Sequence, residues 1–230
     1  MESFSQCGQD VFVHTVLDLS SRPGYKGTFL DIGCAHPTNH SNSFALERQF
    51  GWSGVLVDIS PNQDPTRIRT SPFVQQNMDD PRWLTKVQAA VPGFDASAVI
   101  DYLSFDIDAS GVMVIEAFPF DQLRFRVMSV EHDKYRFGQE AQDRIAAVLM
   151  RHGYRRICKD IRDDAQAGGT VAFEDWWVHP DRVGDPSIAD QVCCDNHHWK
   201  DVLATMRALN PAPPAVVTPP CVLTLGNQTL

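Results

Sequence analysis

The chain has 230 residues, 43% of them hydrophobic and 10% aromatic, enough for one sizeable core and a single domain with elaborations. Its 20 basic residues stand against 29 acidic ones, and a formal net charge of -9 repels polyanions, which excludes nucleic acid and acidic membrane surfaces as expected partners. The start, Met1-Glu2-Ser3-Phe4-Ser5-Gln6, lacks a basic segment followed by an apolar run, and no stretch approaches the ~18 apolar residues of a membrane span, so a soluble, cytoplasmic protein is expected.

The spacing of Val11, Phe12, Val16 and Leu19 predicts an opening helix over 5–20, ended by Ser21-Arg22-Pro23-Gly24. A first strand follows over 28–32, then a helix through 45–50 capped by Ser41 or Asn42 and stopped by Gly51. Further strands are predicted over 54–58, 73–76, 99–106, 126–131, 154–158 and 172–178. Helices fall between them over 80–90, 111–118 and 136–152. The alternation implies an α/β fold: a mostly parallel seven-stranded sheet with helices on both faces. Residues 1–26 form a lead-in, 27–180 the core domain, and 181–230 a C-terminal elaboration whose proline-rich end reads as an extended arm.

The most informative stretch is Gly27-Thr28-Phe29-Leu30-Asp31-Ile32-Gly33-Cys34-Ala35, followed by Gly54-Val55-Leu56-Val57-Asp58. Both strands end in an acid, and in a βαβ unit such ends face the crevice where nucleotide-like ligands bind. A dinucleotide calls for G-x-G-x-x-G and a P-loop for G-x-x-x-x-G-K-[ST], because the backbone must wrap phosphates. Here the first turn has one glycine, Gly33, and no lysine after it. S-adenosylmethionine has no phosphate; a tight turn at Asp31, Gly33 and Ala35 and a carboxylate at Asp58 for the ribose hydroxyls would suffice for it. Asn77 and Asp79, after the third strand, would fall beside the adenine.

Several segments in register resemble the FkbM family of S-adenosylmethionine-dependent methyltransferases. They are Ser5-Gln6-x-Gly8-Gln9-Asp10, Leu30-Asp31-Ile32-Gly33-Cys34-Ala35, Ser41-Asn42-Ser43 with Leu46-Glu47, Gly51-Trp52-x-Gly54, Asp101-Tyr102-Leu103-Ser104-Phe105-Asp106-Ile107-Asp108 and Val130-Glu131-His132. The resemblance implies a Rossmann-like class I methyltransferase fold and O-methylation of a hydroxyl on a sugar or other small natural product. The chain departs from the family pattern at His36-Pro37-Thr38 in the first turn, at Asp58 where glutamate is usual, and at Asp108-Ala109 where Glu-Gly is usual.

Methyl transfer from a sulfonium is an in-line displacement whose leaving group is already good, so the protein must position the acceptor oxygen and make it nucleophilic. A general base or a divalent cation can do the latter. Asp106, Glu131 and His132 are the candidate catalytic residues. Asp106, Asp108, Glu131 and His132 are candidate ligands for Mg²⁺ or Mn²⁺, since carboxylates suit hard cations and the resemblance implies a metal held from these two strand ends. Asp106-Ile107-Asp108 is also formally the D-x-D of a metal-dependent glycosyltransferase, and the altered Asp108-Ala109 loop leaves open a non-catalytic cofactor-binding module.

Among the remaining candidates, Gln9 and Asp10 could reach the cofactor or cap the opening helix. Trp52, Trp176 and Trp177 read as core, and Arg67 and Arg69 as a solvated surface pair that could steer an anionic acceptor. The six cysteines show no disulfide framework, and adjacent Cys193-Cys194 with His197-His198 lack the spacing for a shared tetrahedral zinc.

Overall fold

The computed structural model describes residues 1–61, 63–91, 93–94, 98–166 and 169–210. In chain order the elements are α1 (Gln9–Val16), β1 (Thr28–Ile32), α2 (Phe44–Phe50), β2 (Ser53–Asp58), β3 (Phe73–Gln75), α3 (Trp83–Ala90), β4 (Val99–Phe105), α4 (Gly111–Glu116), β5 (Arg124–Glu131), α5 (Lys134–Phe137), α6 (Gln139–Arg151), β6 (Arg155–Gln166), β7 (Gly169–Val178), α7 (Pro186–Val192), β8 (Cys194–Asp195) and α8 (Trp199–Leu209). The extended arm expected beyond residue 210 lies outside the described residues.

The strands form one sheet in the order β3-β2-β1-β4-β5-β7-β6-β8. β1 through β5 run parallel, as expected. The sheet has eight strands rather than seven, and it is mixed, because β7 is antiparallel to both β5 and β6. β6 ends at Gln166 and β7 begins at Gly169, which leaves no room for the crossover helix a parallel pair needs. The eighth strand is a two-residue edge paired in parallel with β6.

Side-chain alternation along the strands divides the core into two layers. Phe29, Leu56, Tyr102, Val127 and Trp176 pack on one face with residues of α1, α2, α7 and α8. Leu30, Ile32, Val57, Leu103, Met128 and Trp177 pack on the other with α3, α4 and α6. Phe12 of α1 stacks on Trp176 at 4.7 Å between ring centroids, and both are fully buried, each contributing on the order of 2–3 kcal/mol. Trp52 is core, as expected.

Two long predicted helices are shorter than expected. The opening helix spans only Gln9–Val16, after Gly8 at φ 84°. The helix expected over 136–152 divides at Gly138, whose φ of 85° ends the single turn α5 before α6 begins. Gly51 does stop α2, in the left-handed conformation at φ 65°.

Candidate functional site

The carboxyl ends of β1, β2 and β4 meet in a crevice. Ile32 is hydrogen-bonded through its carbonyl to the Asp106 N–H at 2.9 Å, and the Val57 carbonyl accepts from Gly33 N–H at 2.8 Å. The chain therefore turns at Gly33 between two neighbouring strands. Its φ is +81°, and a Cβ there would lie 1.5 Å from the Asp106 carbonyl oxygen, so only glycine fits. Asp58 fastens this turn: one carboxylate oxygen accepts from Ala35 N–H at 2.9 Å and the other from Ser60 N–H at 2.7 Å.

Two cavities open on either side of the turn and share Gly33, Ala35 and Asp106 as walls. The larger, about 430 Å³, is lined by Asp58, Ile59, Asn77, Asp79, Ile107 and Asp108 among others. The smaller, about 230 Å³, is lined by polar groups that include Gln6, Asp31, His36, Asn39 and Asn42. All six sequence-derived cofactor candidates, Asp31, Gly33, Ala35, Asp58, Asn77 and Asp79, thus border one cavity or the other. Asp31 is the most enclosed: it is 2% exposed, accepts from Ser43 Oγ at 2.5 Å, and burial raises its pKa.

Arg69 is not a surface residue. Its guanidinium is buried, 3.1 Å from Glu47, and donates to the Pro37 carbonyl, Ser41 Oγ and Ser43 Oγ. The cause is Glu47, which faces inward from α2 and needs a partner, so Arg69 sets the shape of the loop that walls the smaller cavity. Arg67 is solvated, with Asp64 3.9 Å away. Gln9 and Asp10 do not reach the crevice as ligands: Asp10 accepts from Ser3 Oγ and the Phe4 N–H, and Gln9 donates to Glu174 at 2.9 Å.

The expected catalytic set comes together only in part. Asp106 and Glu131 lie side by side at the ends of β4 and β5, next to the paired Phe105 and Val130. They are in hydrogen-bond contact; burial, first, and then the Asp106 charge push the Glu131 carboxyl up. Burial also raises Asp106, so the pair holds a proton that an ordinary carboxyl would have lost. Beyond Glu131 in the same row stands Glu174, its register partner on β7.

His132 points away. Side chains alternate at the strand end, and the His132 and Asp133 N–H groups both donate to the Phe173 carbonyl, which turns the imidazole under α6. There Nε2 lies 3.4 Å from Asp175 and 3.9 Å from Asp160, both carboxylates being matched by Arg156, Lys134 and Gln142. His132 therefore stands away from the crevice, its ligand atom within 4.8 Å of those of the buried Asp160 and Asp175. Asp108 has a φ of 51° and a side chain 70% exposed, paired with Arg136, which also holds Asp133 at 2.9 Å.

At the crevice a second group converges, Asp108, Glu131 and Asp133, with ligand atoms all within 4.8 Å of one another. Glu131 Oε2 and Asp133 Oδ1 are buried without a partner. Of the four expected ligands, Asp108 and Glu131 thus converge with Asp133 at the crevice, His132 stands in the other group, and Asp106 belongs to neither. Among the described residues no such group forms around Cys193, Cys194, His197 and His198.

Glu174 went unrecognised in the sequence, although two acids inside the aromatic run Phe173-Glu174-Asp175-Trp176-Trp177 are a signal of buried charge with specific partners. It is 2% exposed, accepts from Gln9 and from Trp176 Nε1 at 2.5 Å, and burial pushes its pKa up to about 8. Below the ordinary glutamate pKa both folded and unfolded chains hold this proton. As pH rises towards 8 only the unfolded chain loses it, and folding is weakened. Glu174→Gln keeps both accepted hydrogen bonds without the titration. Its stability relative to the unchanged chain should rise between pH 5 and pH 8, by on the order of 3 kcal/mol, in urea unfolding. Parallel pH curves would contradict this assignment.

The fold is shared with a solved protein. A "putative hemolysin" from Lactococcus lactis superposes with a TM-score of 0.50 at 12% identity, over 91% of this chain and 100% of that one. A DUF574 family protein from Streptomyces avermitilis gives a TM-score of 0.45 at 12% identity, over 76% of this chain and 83% of that one. At such identity the first likeness speaks for fold alone. No family model matches the chain, and no curated protein does. Among the described residues no helix is long and apolar enough to cross a membrane.

Proposed function

We propose that the chain is an S-adenosylmethionine-dependent O-methyltransferase, acting on a hydroxyl of a sugar or other small natural product. The observation that carries this reading is the paired cavity around the Gly33 turn, with Asp58 on one side and the Asp106–Glu131 pair at its edge. The parallel order β3-β2-β1-β4-β5 followed by an antiparallel β7 resembles the Rossmann-like class I methyltransferase sheet, and of the segments similar to the FkbM family those at Asp31–Ala35, Ser41–Asn42 and Asp106–Asp108 line this crevice. In the larger cavity Ile59 and Ile107 offer apolar walls to an adenine, Asn77 and Asp79 polar groups at its edge, and Asp58 a carboxylate to the ribose. Asp106, facing both cavities, is the group that would take the acceptor's proton.

A divalent cation fits the chain at Asp108, Glu131 and Asp133, where two buried carboxylate oxygens lack partners. When bound, it would supply Lewis acidity that lowers the pKa of an acceptor hydroxyl. Binding it would require Glu131 to give up its proton, so affinity should increase with pH. The D-x-D alternative is weakened by geometry, since Asp108 converges with Glu131 and Asp133 and not with Asp106, which faces Glu131.

Calorimetric titration with S-adenosylmethionine tests the reading. Micromolar binding is expected for the unchanged chain and at least a ~10-fold loss in Asp58→Ala, on the order of 1.4 kcal/mol or more from lost charge-assisted hydrogen bonds. Absence of binding, with a heat signal from a nucleotide sugar plus Mn²⁺, would favour glycosyl transfer; tight binding without turnover on any hydroxyl would favour a binding module.

A further inference from the structure

Outside the crevice, the C-terminal elaboration brings cysteines together that the proposed activity does not use. Cys158 on β6 and Cys194 on β8 are direct register partners in a parallel pair. Neighbouring strands run about 4.8 Å apart, inside the roughly 4.4–6.8 Å range of Cα separations that a disulfide spans, and directly paired residues project to the same face. Both are free thiols; Cys158 is fully buried and Cys194 half-buried. The Cys158 thiol donates to the Val192 carbonyl at 3.4 Å, so it is directed at the segment leading into β8. Contact with the Cys194 thiol adds to burial in raising the Cys158 pKa.

We propose that Cys158 and Cys194 are a modification site: a dithiol that closes to a disulfide by exchange with a small-molecule disulfide such as oxidised glutathione. Cys194, the less buried of the two, attacks first as thiolate, forming a mixed disulfide and releasing one glutathione thiolate, which takes up the proton Cys194 lost. Cys158 then attacks the Cys194 sulfur, its proton passing to the second glutathione as that leaves. One protein dithiol and one oxidised glutathione become one protein disulfide and two reduced glutathiones, so atoms and electrons balance. The burial and raised pKa of Cys158 make the second step the slow one. The bridge would tie the short edge strand β8, and through it α7 and α8, to the interior strand β6.

The full chain would be incubated with oxidised glutathione, denatured in iodoacetamide to label every remaining thiol, and mapped as peptides without reduction. The expected result is loss of two thiols per chain, a Cys158–Cys194 linked peptide reversed by dithiothreitol, and a rise of a few °C in Tm. Cys193→Ser should behave as the unchanged chain, whereas Cys194→Ser should yield no linked peptide containing Cys158. Alkylated Cys158 in the oxidised chain, with glutathione on Cys193 or Cys194 or a bridge between those two, would overturn the proposal.

Discussion

Gly33→Ala is expected to cost roughly 3–6 kcal/mol of stability, combining left-handed backbone strain with overpacking against neighbouring backbone, and to abolish cofactor binding. The methyl group would sit 1.5 Å from the Asp106 carbonyl oxygen, at a residue whose φ is +81°. Relief requires parting the turn from β4, which breaks the Asp106 N–H to Ile32 bond of 2.9 Å and moves the shared wall of both cavities. Gly24→Ala is the matched control: its φ is +80°, but nothing lies within 4 Å of the added carbon. Only the backbone strain of about 1 kcal/mol should appear there. Urea unfolding of the two variants separates the terms, and equal losses would mean that the close approach at Gly33 is not what the fold depends on.

The second large effect concerns chemistry. Asp106→Asn should lower kcat by about 10²–10⁴-fold once an acceptor is in hand, the usual loss when a general base is removed. The hydrogen bond between them pushes Glu131 up and pulls Asp106 down, so on the proposed reading Asp106 would be the carboxyl that takes the acceptor's proton. Glu131→Gln, which imitates the protonated acid, should therefore cost far less in the absence of metal. Because burial raises the Asp106 pKa, the rate should keep climbing with pH above the range where an exposed aspartate is fully ionised. A flat profile from pH 5 upward, or equal losses in the two variants, would remove Asp106 from the role of base. Steady-state kinetics across pH make the distinction.

How much of this was legible depended on the range of the interactions. The strand end at Asp58, the single-glycine turn after Ile32 and the helix stop at Gly51 follow from local chemistry and stand where expected, whereas Asp31 lies one residue inside the end of β1. The antiparallel β7 was hidden because period-2 patterning fixes a strand but not its direction, which here follows from the absence of any helix between β6 and β7. Arg69 looked solvated because Glu47, its buried partner, lies on a different element. Glu174 joined the acid row only through its β5–β7 register with Glu131. Asp133 joined the acids of the crevice and His132 turned under α6 because side chains alternate past Glu131 and Asp133 takes a φ of 46°, which residue type alone does not fix.

The most direct test is a crystal structure with S-adenosylhomocysteine soaked or co-crystallised at millimolar concentration. The ribose hydroxyls are expected on Asp58, the adenine beside Ile59, Ile107 and the Asn77–Asp79 loop, and the sulfur near Gly33 and Asp106. A ligand bound outside this crevice, or a crevice still empty alongside a nucleotide sugar bound through Asp106 and Asp108, would contradict the methyltransferase assignment.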